Sequence, residues 1–475
     1  MKYVLYLFCL IGFSALAQTP ETVSLDSLTD LSKRYFNNQQ PDSVYALMGN
    51  EAHTRLSVAQ FAQVYQRLSA QLGRWQSAER RSVQGGVARY KATFEKALID
   101  FYISRDKTGR IHTFLFKPYE ADIADKTSAV LTSNPLKTAL DKQIDAVAQA
   151  YIKKATTVGL SIGILRNDSL FTYGYGETVK GNGQLPDVNT LFEIGSISKT
   201  FTATLLADAV QRRLVKLDDP VNMYLPDSIP KLQKDGIAVT IKTLANHTSG
   251  LPRLPANLLV TATDMANPYK HYDRKLLYTY LKTATLTRQP GQEYEYSNLA
   301  VGLLGTILET VHKKPYEELV KERIARPLGM AHTVITLNES DKKRFAQGYD
   351  GKGNPASPWE FQSLVGAGGI RSSVADLIPY LKAELGKGPK KLVEVMKTTQ
   401  QTTFVNGKTA LGLGWHSQSD NPNPWFWHQG GTGGFVTYVG FNPSRQTAVV
   451  LLTNSQNPIE ELIGGFQKLA EGPTP

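Results

Sequence analysis

Phe192-Glu193-Ile194-Gly195-Ser196-Ile197-Ser198-Lys199-Thr200-Phe201 is the stretch on which the reading of this chain turns. An apolar approach (Leu191, Phe192, Ile194) passes through Gly195 into a helical pattern over residues 200–214, with Phe201, Leu205 and Val210 among its apolar positions. A serine and a lysine three apart on a helix share one face, so the Lys199 amine can reach the Ser196 hydroxyl. Lysine is a poor base at its ordinary pKa of about 10.4, but burial or a nearby cation lowers that value until the neutral amine accepts a proton. At a helix start, Ser196 also faces free N–H groups and a dipole that favours a developing anion. Its own N–H is the natural first donor of an oxyanion hole.

Ser-x-x-Lys alone carries little information, because it recurs at Ser104, Ser228 and Ser340. Context separates the copies. Ser104 runs into a hairpin turn, Ser228 lies in a proline-containing loop, and Ser340 sits in a polar, solvated stretch. Two further groups complete a constellation. Tyr296-Ser297-Asn298 follows Pro290-Gly291 and precedes a helix carrying Leu299, Leu303, Leu304 and Ile307. A phenol and a carboxamide two apart can both face one cleft, the phenol to relay a proton and the amide to orient a carbonyl. The same spacing at Tyr35-Phe36-Asn37 has no partner motif and reads as structural. His428-Gln429-Gly430-Gly431 follows Trp425-Phe426-Trp427 and leads into a strand. Glycines at a strand end let a substrate backbone approach closely, and the Gly431 N–H offers a second oxyanion donor.

Over roughly residues 138–470 these groups together resemble the serine β-lactamase-related family, in the branch of class C β-lactamases, DD-peptidases and related esterases. The first stretch resembles the family's nucleophile signature. Tyr296-Ser297-Asn298 resembles its Tyr-x-Asn element, and His428-Gln429-Gly430 its third, Lys/His-x-Gly element. Separations of 100 and then 132 residues fit that order. Residues 244–252, 327–330 and 368–373 resemble further family segments and read as mainly structural, His247 included. The resemblance implies an α/β (α+β) fold: an antiparallel sheet flanked by helices plus a helical subdomain. It implies catalysis by Ser196, Lys199 and Tyr296, an oxyanion hole of the Ser196 and Gly431 N–H groups, and substrate binding by Asn298, His428 and Gly430. Class C enzymes carry Lys-Thr-Gly at the third element, where lysine and threonine help recognise a carboxylate; histidine resembles some DD-peptidases and D-aminopeptidases. The replacement ranks β-lactams last among the expected substrates. A histidine with a pKa near 6.5 is further expected to change charge in the mildly acidic range.

The rest of the chain frames this unit. Lys2, an apolar run over residues 4–13 and Ala15-Leu16-Ala17 predict a signal peptide over residues 1–17, cleaved before Gln18, and hence a periplasmic or secreted protein. The sole cysteine, Cys9, would leave with it, excluding disulfides, thiolate metal sites and cysteine nucleophiles. Residues 22–118 read as a small α+β domain. Its parts are a capping box at Ser57, helical spacing through Phe61, Tyr65, Leu68 and Leu72, and alternating strands through Tyr90, Phe101 and residues 111–116. Helices followed by an antiparallel meander resemble the nuclear-transport-factor-like cone fold. Residues 119–135 read as a linker and 136–475 as the hydrolase domain. There, a helix through Leu140, Ile144 and Tyr151, strands at both ends (158–165 and 170–175; 435–441 and 447–453) and a helix from about residue 458 suggest one sheet built from both termini.

At 475 residues with 41% hydrophobic and 20% charged content, the chain is soluble, globular and multi-domain. Its net charge of +11 is interspersed, without basic blocks, which argues against nucleic acid as a partner. No membrane span is expected in the mature chain. No ligand cluster or phosphate loop calls for a metal or cofactor. The expected activity is hydrolysis of amide or ester bonds through a serine acyl-enzyme. The partners would be small molecules or short peptides such as D-amino-acid peptides, peptidoglycan fragments or small esters. The alternatives are a class C-like β-lactamase and an acyl-binding sensor that never turns over.

Overall fold

Apolar strand segments near the two ends of the hydrolase region become, in the computed structural model, a single antiparallel sheet. The structure describes residues 24–50, 53, 57–119, 125–166 and 168–472. The signal peptide over residues 1–17 lies outside them. The chain divides into two compact units, Met1–Ile123 and Ala124–Pro475.

In the first unit, helices Leu25–Asn37, Pro41–Ala46 and Val58–Leu72 precede strands Trp75–Gln84, Val87–Phe94, Leu98–Arg105 and Ile111–Pro118, paired in chain order as a meander. Ser57 and Gln60 form the expected capping box. Phe36, Tyr65, Trp75, Phe94, Phe101 and Phe116 fill the core. The first strand escaped the sequence reading because, apart from Trp75, its described side chains stay partly or fully exposed, so no two-residue apolar period marks it. Asn37, in the tyrosine–asparagine decoy, exchanges hydrogen bonds with the Trp75 backbone. Ser104 donates to Thr113 within the sheet. Both are structural.

The second unit begins before the end of the range read as a linker. Leu131 and Ser133 exchange backbone hydrogen bonds with Gly176 and Gly174, along the outer edge of strand Ser169–Gly176. The sheet has eight antiparallel strands: Phe404–Asn406, Thr409–Leu411, His416–Gln418, Phe426–Gly431, Val436–Asn442, Thr447–Thr453, Gly159–Arg166 and Ser169–Gly176, in that spatial order. The penultimate strand in this order pairs with a strand nearly three hundred residues later (Thr453 opposite Leu160), so both chain ends build the sheet. Every residue of Thr447–Thr453 is buried, because helices cover both faces. On one face, helices Ala139–Ile152 and Glu460–Glu471 contribute Ile144, Ala148, Leu462 and Phe466 against Ile162 and Leu451. Against the other pack Ser198–Gln211, Asn298–His312 and Val374–Glu384, which share a core with Val439 and Val450. This is the predicted sheet-plus-helices architecture. The sequence reading missed the three short strands between Phe404 and Gln418, which are too brief to show a period.

Candidate active site

Ser196 lies in a tight 3₁₀ turn, Gly195–Ile197, that feeds helix Ser198–Gln211. The helix therefore starts two residues earlier than its apolar spacing suggests. Gly195 has φ +50°, and a β-carbon there would lie 2.7 Å from the Gly431 nitrogen. Only glycine permits both the turn and this approach of strand Phe426–Gly431. Gly430 meets the same constraint from the other side: a β-carbon would collide with the Ile194 carbonyl and Thr437 Oγ1. Glycines of two elements thus bring the nucleophile turn against the strand.

The direction of the Gly431 N–H follows from register. Thr432 N–H bonds to Phe435 O, and the next pair along is Gly431 opposite Val436. Pairs in an antiparallel ladder alternate between hydrogen-bonded and non-hydrogen-bonded, so Gly431 turns its N–H away from Val436. The neighbour on that side, His416–Gln418, pairs only as far as Trp427. The Gly431 N–H is therefore turned outward from the sheet edge on which the Ser196 turn sits.

Lys199 is 1% exposed. Its Nζ lies 2.9 Å from Ser196 Oγ, 2.8 Å from Asn298 Oδ1 and 2.7 Å from the Ala367 carbonyl. Two of these partners are carbonyl oxygens, which only accept, and the third is a hydroxyl, which can donate. Three N–H donors of an ammonium, or two N–H bonds and the lone pair of a neutral amine, both satisfy this set, so the direction of the pKa decides between them. Burial, and then the Arg253 guanidinium, hold the Lys199 pKa well below its ordinary value.

Tyr296 sits against this amine, with Lys199 Nζ 4.8 Å from its ring centroid. Burial pushes the phenol upward, opposed mainly by its hydrogen bond with Ser196. His247 stacks on the Tyr296 ring at 4.4 Å, and its Nδ1 accepts the Ser297 N–H. Ser297 caps helix Asn298–His312 and donates to the Pro252 carbonyl. His247, read from sequence as structural, is what holds Tyr296 in place.

His428 needs a correction. Its ring faces Tyr296 at 6.3 Å and His416 at 5.2 Å, but it is 2% exposed. Burial, His416 and Lys199 all drive its pKa well below 6.5, so the expected charge change in the mildly acidic range is excluded. Nδ1 lies 2.7 Å from the Gln429 carbonyl and must donate, which leaves Nε2 as an acceptor without a protein partner. The structure thus gathers Ser196, Lys199, Tyr296, Asn298, His428, Gly430 and Gly431 into one site. Ser228 and Ser340 stay exposed elsewhere. The sequence reading missed Arg253, Tyr269, His416 and the Ala367 carbonyl. Only the glycines flanking Ala367 and the motif ending at Pro252 pointed toward any of them. Among the described residues, no group of three or more His, Cys, Asp or Glu could hold a metal ion.

A buried lysine, a serine at a helix head and an outward N–H on a sheet edge define a serine acyl-transfer site on an antiparallel sheet. The Beta-lactamase family pattern matches residues 144–472, and the chain belongs to that family. It is 29% identical to a β-lactamase of Pseudomonas fluorescens over 67% of this chain and 95% of that protein. It is also 29% identical to the D-alanyl-D-alanine-carboxypeptidase/endopeptidase AmpH of Escherichia coli (strain K12), over 66% of this chain and 83% of that protein. Among solved structures, a class C β-lactamase superposes with a TM-score of 0.64 at 25% identity, covering 72% of this chain and 98% of the other. A β-lactamase/D-alanine carboxypeptidase from Pseudomonas syringae gives 0.62 at 26%, covering 71% and 100%. The protein is a serine hydrolase that works through a covalent acyl-enzyme.

Proposed function

We propose that Ser196 is the nucleophile, that neutral Lys199 takes its proton, and that Tyr296 passes a proton to the leaving group. The Ser196 and Gly431 N–H groups hold the oxyanion, and Asn298, His428 and Gly430 line the substrate. The carrying observation is the place of Lys199: its Nζ is buried 2.9 Å from Ser196 Oγ, and that burial lowers the pKa of the amine toward the neutral form that can take the hydroxyl proton. Tyr296, kept protonated by burial, is a donor at neutral pH. Hydrolysis of the ester by water then reverses these transfers.

For substrate, the reading is amide or ester bonds of D-amino-acid peptides, including peptidoglycan fragments, or of small esters. It rests on the resemblance to the two carboxypeptidase relatives and on a third element that offers a neutral histidine and a glutamine in place of lysine and threonine. The signal-like sequence of residues 2–17 supports export, and among the described residues no helix is long and apolar enough to cross a membrane. The test is labelling with a serine-directed phosphonate followed by peptide mapping, alongside a panel of esters, D-amino-acid amides and a chromogenic β-lactam. The adduct is expected on Ser196, and Ser196→Ala should cost several orders of magnitude in turnover. An adduct on Ser104, Ser228 or Ser340 ends the assignment. Labelling without turnover of any panel member would favour the acyl-binding sensor.

A further inference from the structure

With His428 neutral, the third element presents no cation, yet the site still contains one. Arg253 follows Pro252 in the loop that receives the Ser297 hydroxyl. Its own carbonyl accepts the N–H groups of Asn298 and Leu299 at 2.9 and 3.2 Å, so its backbone is pinned to the helix that supplies Asn298. Its guanidinium carbon lies 5.1 Å from the Tyr296 ring centroid, against 4.8 Å for Lys199 Nζ. A guanidinium held over a ring keeps its rim of N–H donors available.

The side chain is exposed, and among the described residues no carboxylate pairs with it and no hydrogen bond engages its guanidinium. The carboxylates nearest along the Tyr296 segment, Glu293 and Glu295, are both taken by Arg288. The other basic side chains near Ser196 are committed: Lys199 is buried with three partners, and Arg371 is buried against Glu193. The field of Arg253 reaches Lys199, Tyr269, Tyr294 and Tyr296, which places it on the tyrosine wall of the cleft rather than on the strand.

We infer that Arg253 is the specificity-determining cation of this site and takes a carboxylate on the leaving-group side of the substrate. The inference rests on the acyl-enzyme reading above and narrows its substrates toward anionic ones. A planar fork of donors suits a carboxylate in two-point contact, and Arg253 is free to make one.

The test uses two aryl esters with the same acyl group, one with a carboxylate on the leaving-group ring and the other with a carboxamide. The ratio of their kcat/KM values cancels effects on Lys199 that both substrates share. Arg253→Gln should lower that ratio by about tenfold or more, as loss of a charge-assisted hydrogen bond does. Arg253→Lys should restore most of it. An unchanged ratio in Arg253→Gln, or an equal fall on both esters, overturns the inference, the second result meaning that Arg253 acts only through the Lys199 field. Phosphonate labelling of Ser196 in each variant reports an intact site. Ser196→Ala separates the two claims. If it still hydrolyses the esters, the acyl-enzyme reading fails; if it is inactive while the Arg253→Gln ratio stays put, only the Arg253 assignment fails.

Discussion

A lysine buried against a serine hydroxyl has a lowered pKa, and the direction of that shift dictates a pH profile. The active form is the neutral amine, so kcat/KM should rise with pH through the lowered Lys199 pKa and level off below the ordinary lysine value of about 10.4. No alkaline fall should follow within the ordinary tyrosine range, because burial displaces the Tyr296 phenol upward. Lys199→Arg puts a permanent cation where the neutral base stood; it should cost about 10²- to 10⁴-fold in kcat/KM. A profile rising only near the ordinary lysine pKa would mean that Lys199 stays charged and another group takes the proton. His428 makes the complementary point. Its ring should remain neutral by NMR titration to well below pH 6.5, the reverse of what an isolated histidine suggests, because burial, His416 and Lys199 oppose its charge.

The site depends on how closely one strand can approach one turn. Gly430 and Gly431 are adjacent, yet they predict opposite outcomes. A β-carbon at Gly430 meets the Ile194 carbonyl and Thr437, whereas at Gly431 it meets nothing within 4 Å. Gly430→Ala should therefore cost about 1–3 kcal/mol through overpacking. By pushing the Gly431 N–H away from Ser196, it should also lower kcat by roughly tenfold to a hundredfold. Gly431→Ala should leave stability within about 0.5 kcal/mol. Thermal denaturation of the pair checks this, and equal destabilisation would contradict the register that turns Gly431 outward.

At the scale of the whole hydrolase unit, the helix that carries Lys199 is backed by a buried acid. Glu384 is 2% exposed at the end of helix Val374–Glu384, receives Gln400 Nε2 at 2.7 Å, and has Trp415 and Tyr380 beside it. Tyr380 in turn donates to Thr200 and stacks on Phe201 at 4.3 Å, both in the nucleophile helix. Burial lifts the Glu384 pKa from 4.5 to about 8. The folded state then keeps a proton that the unfolded chain releases, so this group's contribution is full below pH 4.5 and is lost as pH rises toward about 8. Glu384→Gln should match the wild type near pH 4.5 and exceed it by a few kcal/mol above about pH 8, as equilibrium denaturation at both values would measure. A difference that does not change with pH would mean that Glu384 is charged, or solvated, throughout.

Much of this was legible in the residues themselves. Three short motifs in order picked out Ser196, Lys199, Tyr296 and the Gly430–Gly431 strand, which the fold brings together, because each joins a reactive group to a local backbone signal: a glycine before a helix, a helix cap, a glycine pair in a strand. The sheet shared by both ends of the hydrolase unit followed from apolar strand segments on either side of a long helical middle. Tertiary structure alone decided the rest. The charge of Lys199 and His428 depends on burial and on partners distant in sequence, such as the Ala367 carbonyl for Lys199 and Lys199 itself for His428. The cation of the cleft is Arg253 rather than a residue of the third motif, because a ring brought in by another segment lies beneath its guanidinium. Sequence names which groups can react; packing sets the medium and the neighbours, and these fix the protonation state and what the site can attract.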